Sequence, residues 1–120
     1  MKTLLSRAVA ILASIAICGI LHSHAQSTAQ RVALRVDGLT SEERDQLNAD
    51  LGQRGDLRIS FACVPAGILI LEPVAQDRSA DSVRAMAAAA LIHRLPAQRR
   101  SEVALTLNEA EALCSEARNP

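Results

Sequence analysis

Between Arg31 and Leu51 the chain changes its hydrophobic period once, and that change constrains the fold more than any other feature. In RVALRV, Val32, Leu34 and Val36 alternate with Ala33 and Arg35, the period of two that sends side chains to opposite faces of a strand. Asp37-Gly38 interrupts the run, as turn residues do. Thr40-Ser41-Glu42-Glu43 follows and reads as a capping box, in which the Thr40 hydroxyl accepts from the Glu43 amide and the Glu43 carboxylate reaches back. A helix is expected from Ser41 to Gln53, with Leu47 and Leu51 one turn apart as its inner stripe. So narrow a stripe cannot stabilise a free-standing helix, which therefore needs a sheet to rest on.

The same reading continues along the chain. Gly52 and Gly55 end the helix, as glycine does at helix C-termini. Leu57, Ile59, Phe61 and Cys63 then alternate with Arg58, Ser60 and Ala62, which predicts a second strand with one wet face. Val64-Pro65-Ala66-Gly67 is a tight turn, Ile68 to Leu71 an apolar third strand, and Glu72-Pro73 its end; the short spacing makes strands two and three a hairpin. DSVRAMAAAALIHRL is helical by propensity, with N-caps available between Asp77 and Asp81 and with Val83, Ala87, Ala90, Leu91 and Arg94/Leu95 along one face. Pro96 ends it. Val103, Leu105 and Leu107 alternate in a fourth strand over Glu102–Leu107, and Asn108 with Glu109 and Glu111 reads as the start of a short last helix carrying Leu113 and Cys114. The order β-α-β-β-α-β, with an added C-terminal short helix, predicts an α+β, ferredoxin-like sandwich: four antiparallel strands with two helices on one face.

The N-terminus predicts an address. Lys2 and Arg7 precede an uncharged run from Ala8 to Leu21, 14 residues long, the length of a signal-peptide core and short of the roughly 20 residues that cross a bilayer. Ser23-His24-Ala25 places small residues for cleavage between Ala25 and Gln26; a cut after Ala29 is the alternative, and a retained anchor the other reading of the run. Ile17 before Cys18 departs from a lipoprotein pattern. The expected organisation is a signal peptide over 1–25 and one domain over 26–120, periplasmic or secreted, with no membrane contact after cleavage. His22, His24 and Cys18 would leave with the signal.

The remaining 95 residues are too few for two domains. They carry 11 arginines, no lysines and 13 acids, a net charge of −2 with no basic run, which leaves a nucleic-acid role without footing. Phe61 is the only aromatic residue, so stacking platforms and aromatic cages are excluded. Cys63 and Cys114 are an even pair in a small exported chain, and a disulfide is the first reading. The rival is a pair of reduced thiolates holding a soft copper or zinc ion; the spacing matches no metal motif.

Residues 32–95 resemble the heavy-metal-associated domain, the fold of small copper chaperones and of the N-terminal modules of copper-pumping ATPases. The resemblance lies in the element order, in LRVDGLT, which is similar to that family's strand followed by Gly-Met-Thr, and in the Gly55 turn into strand two. It implies a metal-binding Cys-x-x-Cys on the strand-to-helix loop. Here those positions are Ser41 and Arg44. A hydroxyl is a poor ligand for a soft ion and a guanidinium keeps its proton, so the metal motif is absent and no cofactor is expected. The family pattern also wants a branched apolar residue at Asn48, where this chain offers Leu47 instead.

No catalytic constellation accompanies the fold. His93 is the only histidine after the signal and has no flanking triad or dyad motif, Asp37 is a turn residue, and Met86 on the alanine-rich helix reads as core filler. The expectation is a non-enzymatic exported module that binds an unidentified protein partner through an exposed surface or strand edge. A metal carrier using Cys63 and Cys114 is the second reading. The third is a protease inhibitor, since a strand followed by DGLTSEE is similar to the opening of subtilisin propeptides.

Overall fold

Local chemistry sets where each element begins. Thr40 caps the first helix: its hydroxyl accepts from the Glu43 amide at 3.1 Å, and its own amide donates to the Glu43 carboxylate at 3.0 Å. Gly55 ends that helix in the left-handed conformation, its N–H donating to the Leu51 carbonyl, the αL stop that glycine adopts without strain. The computed structural model describes residues 30–120; the expected signal peptide and its Ala25/Gln26 cleavage site lie outside them. The elements are β1 (Val32–Val36), α1 (Ser41–Arg54), β2 (Leu57–Cys63), β3 (Ile68–Pro73), α2 (Ala80–Leu91), β4 (Arg100–Val103) and α3 (Leu107–Arg118), with a 3-10 turn over Ala97–Arg99 leading into β4.

The strands form one four-stranded sheet in the order β2-β3-β1-β4, every neighbour antiparallel. The protein is therefore α+β, an antiparallel sheet with three helices. On one face, Val32, Leu34, Val36, Leu69 and Leu71 of the central strands meet Leu47 and Leu51 of α1 and Val83, Ala87 and Leu91 of α2. Each fully buried Leu or Val there stabilises the fold by about 1.5–3 kcal/mol. On the other face, Ala33, Ile68 and Ile70 meet Ala110 and Cys114 of α3. The sheet thus has helices on both sides, whereas the sequence reading covered one. This explains why β3 is buried along its whole length, the apolar run of a strand with no wet face.

β2 departs from simple alternation. Ile59 lies opposite Leu71, but Phe61 lies opposite Ile70, so β2 carries one extra residue between them. A bulge of this kind reverses which face the following residues take. Leu57 and Ile59 accordingly pack toward α1 and α2, while Phe61 and Cys63 join the α3 side. The uninterrupted alternation read from the sequence had put all four on one face.

Two boundaries also move. β4 stops at Val103, and α3 begins at Leu107 because Thr106 is its N-cap, with a full capping box to Glu109. Val103, Leu105 and Leu107 still alternate in burial with exposed Glu102, Ala104 and Thr106, so the sequence pattern outlasts the strand. α2 begins after the Ser79 N-cap and ends at Leu91, and Leu95 reaches the core from the turn beyond it. Among the described residues no helix is long and apolar enough to cross a membrane.

Candidate functional site

The β1–α1 loop is where the resemblance places a metal, and its residues are committed elsewhere. Ser41 is exposed on the first turn of α1. Arg44 is half-buried and pairs with its neighbour Asp45 at 2.8 Å. The dominant group at the loop is Arg99, from the turn before β4, which the sequence reading passed over. Its guanidinium donates to the carbonyls of Asp37 (3.0 and 3.1 Å) and Gly38 (3.1 Å), and to both Glu43 carboxylate oxygens (2.6 and 3.0 Å). The Asp37 amide returns a bond to the Arg99 carbonyl at 2.7 Å. Arg99 therefore clasps the end of β1 to the start of α1.

The clasp changes the acid inside it. The hydrogen bonds from Arg99, then the Thr40 amide, hold the Glu43 carboxyl at about 2, well below its ordinary 4.5; bonding to the charged form favours it. Glu43 is thus fully ionised and fully paired, serving capping box and clasp together. This donor set does not fit a soft metal: one hydroxyl, two carbonyls already accepting from Arg99, and guanidinium groups in place of sulfur. No step involving a metal can be built on this loop. Among the described residues no group of three or more His, Cys, Asp or Glu side chains is placed to hold an ion.

Cys63 and Cys114 form a disulfide, with their Cα atoms 5.9 Å apart. The bridge ties the end of β2 to α3, joining residues 51 apart in sequence. Both sulfurs are spent on each other, so in this state they offer no thiolate to copper or zinc. Cys114 lines a shallow surface depression with Phe61, Glu111, Ser115 and Arg118.

A second ionic cluster joins β2, β3 and the residue before β1. Glu72, on β3, is buried and accepts from Arg58 of β2 at 2.6 Å and from Arg31, just before β1, at 3.1 Å. Burial pushes its carboxyl up, but the two guanidinium hydrogen bonds prevail and the net shift is downward. Nothing in the sequence pattern marks this acid except its position at the end of an apolar strand. His93 is exposed beyond α2 and shares an open cleft with Asp50, Gln53, Arg54 and Arg94; Arg94 is paired with Asp50. Among the described residues the lining of this cleft includes no Ser, Thr or Cys beside His93. Met86 packs against the main core, as its sequence position implied.

β2 has a strand neighbour on one side only. Its outer backbone edge carries Arg58, whose side chain is 64% exposed. β4 is the other edge but is only four residues long. Comparison with family models, with curated proteins and with solved structures finds no significant match to this chain.

Proposed function

We propose that this chain is an exported, non-enzymatic ferredoxin-like domain, similar in plan to the heavy-metal-associated fold but without its metal chemistry, that binds another exported protein along the free edge of β2. The strand order β2-β3-β1-β4 with α1 and α2 on one face supports the split βαβ reading. The observation that carries the functional reading is the seven-residue edge of β2, unpaired on its outer side. Such an edge presents main-chain donors and acceptors to an extended segment, and pockets beside it supply specificity. The bulge at Ser60 twists the edge locally, which guards against indiscriminate strand pairing. The Arg99 clasp favours a structural over a metal-carrying role for the β1–α1 loop.

The test is site-specific photo-crosslinking in the exporting cell, with the photoreactive residue at Arg58 on the β2 edge or at Ala88 on the exposed side of α2. A protein captured from Arg58 and not from Ala88 supports the reading. Capture from Ala88 alone, or from neither, removes it. If the captured protein is a subtilisin-type protease that the chain inhibits, the inhibitor reading takes its place.

A further inference from the structure

α3 closes over an apolar strip of the sheet, yet little besides the disulfide holds it there. Of its 12 residues only Ala110 and Cys114 are buried. Leu107 and Leu113 are half-buried against the same strip. Among the described residues no side-chain hydrogen bond or ion pair joins α3 to the sheet; its own bonds are the Thr106–Glu109 box and the Asn119 end turn. α1 and α2 are anchored differently. Leu47, Leu51, Val83, Ala87 and Leu91 are buried, and Arg99–Glu43, Arg94–Asp50 and Arg84–Glu102 tie the two helices to their surroundings.

The two cysteines are also unequal. Cys63 is 1% exposed and Cys114 is 5% exposed, and only Cys114 lines the surface depression beside Phe61, Ser115 and Arg118. The side of the bridge that borders solvent is therefore that of Cys114. Arg118, which also lines the depression, brings a cation to an incoming anion, while Glu111 in the same lining partly offsets that attraction.

We propose that Cys63–Cys114 is a thiol-exchange site attacked at Cys114, and that its reduction by a dithiol releases α3 and uncovers Ala33, Ile68 and Ile70. The thiolate of the dithiol attacks Sγ of Cys114, the Cys63–Cys114 bond breaks, and its electron pair leaves on Sγ of Cys63, which takes up a proton. The second thiol of the reductant then attacks the mixed disulfide and frees Cys114. Two electrons reach the protein, and the dithiol departs as its own disulfide. A 12-residue helix is marginal in water when isolated, so α3 loses its order once the bridge is gone. The layer of sheet, α1 and α2 keeps its core and ion pairs. The released state presents an apolar strip that the oxidised state hides.

The test uses the full chain in its oxidised form. Incubation with glutathione under native conditions, quenching with an alkylating agent and peptide mapping should place glutathione on Cys114 and the alkyl group on Cys63. After reduction with dithiothreitol, backbone amides of 107–118 should exchange with deuterium on the order of 100-fold faster, while those of α1 keep their protection. Glutathione on Cys63, or no adduct without denaturant, overturns the assigned point of attack. Unchanged α3 protection after reduction overturns the release, and so does loss of α1 protection together with α3, which would mean global unfolding.

Discussion

The Ser60 hydroxyl donates to the carbonyl oxygen of Ile70 at 3.2 Å, at the point where β2 holds one residue more than β3. This small bond marks the place that decides whether the disulfide can form. If its seven residues alternated without a bulge, β2 would turn Cys63 toward α1 and α2, out of reach of Cys114. Ser60→Ala removes only the hydroxyl and should cost about 1 kcal/mol, with the bridge intact. Deleting Ser60 takes out the extra residue itself, so Ile59 opposite Leu71 is followed directly by Phe61 opposite Ile70, and both pairs of apolar residues keep their faces with the bridge intact. Deleting Ala62 instead moves Cys63 to the α1 and α2 side and breaks the bridge, worth roughly 4 kcal/mol for a loop of this length, so it should lower the urea midpoint several times further than loss of Ser60 does. Equal midpoints for the two deletions would show that the facing of Cys63 does not depend on the register of β2.

Two glycines separate conformational need from mere tolerance. Gly67 has φ +65°, and a Cβ there would lie 2.4 Å from the Val36 carbonyl oxygen. The close approach lets the Val36 amide donate to the Gly67 carbonyl at 2.7 Å. Gly67→Ala meets backbone rather than a movable side chain and should destabilise by about 2–4 kcal/mol. Gly52 lies within α1 and a Cβ there meets nothing within 4 Å. Gly52→Ala should stabilise by about 0.5–1 kcal/mol, because alanine gives up less backbone freedom in a helix. Thermal melts of both variants check the pair, and a destabilised Gly52→Ala would contradict the open space.

What the sequence conveys is what neighbours in the chain decide. Thr40 and Glu43 are three apart, so the start of α1 is legible, as are its inner Leu47 and Leu51. The same signature stands at Thr106 and Glu109, but alternation through Val103, Leu105 and Leu107 competes with it and hides the start of α3. The bulge leaves no trace in hydropathy, because Phe61 and Cys63 are as apolar as Leu57 and Ile59; only pairing with β3 reveals that they point the other way. The Arg99 clasp joins residues 62 apart, and no periodicity links an arginine before β4 to two carbonyls after β1. Cys63 and Cys114 could be paired by counting, whereas the helix-covered second face of the sheet could not.

Acid should weaken the fold through the clasp. Glu43 is held at about 2 in the folded chain against 4.5 ordinarily, so its contribution is fully present above about pH 4.5 and is lost as pH falls toward about 2. Glu72 and Asp50 are also lowered by arginine partners and act with the same sign. Arg99→Gln removes the largest cause of the Glu43 shift. The urea midpoint of this variant should fall below that of the parent at about pH 7, and the gap should narrow as pH falls from about 4.5 toward about 2, where Glu43 of the parent takes up its proton. A gap independent of pH would assign the role of Arg99 to its bonds with the Asp37 and Gly38 carbonyls instead.

The likeness of the β1–α1 loop to a metal-binding loop can be tested by restoring the sulfur. Ser41 and Arg44 are three residues apart on the first turn of α1, so they lie on neighbouring parts of one helix face. Thiols at a helix N-terminus are also favoured as thiolates. The oxidised parent chain should take no Cu(I) from a competing chelator, because its loop offers a hydroxyl and a guanidinium and its cysteines are bridged. Ser41→Cys combined with Arg44→Cys should take up one Cu(I) per chain, provided a thiol count shows that Cys63 and Cys114 remain paired. Binding by the double variant and not by the parent would mean that the loop keeps a metal-competent backbone after its ligands have been replaced. Failure of the double variant to bind would mean that the Arg99 clasp has drawn the loop into a shape in which two sulfurs cannot grip one ion, and the resemblance would then extend to the order of elements and no further.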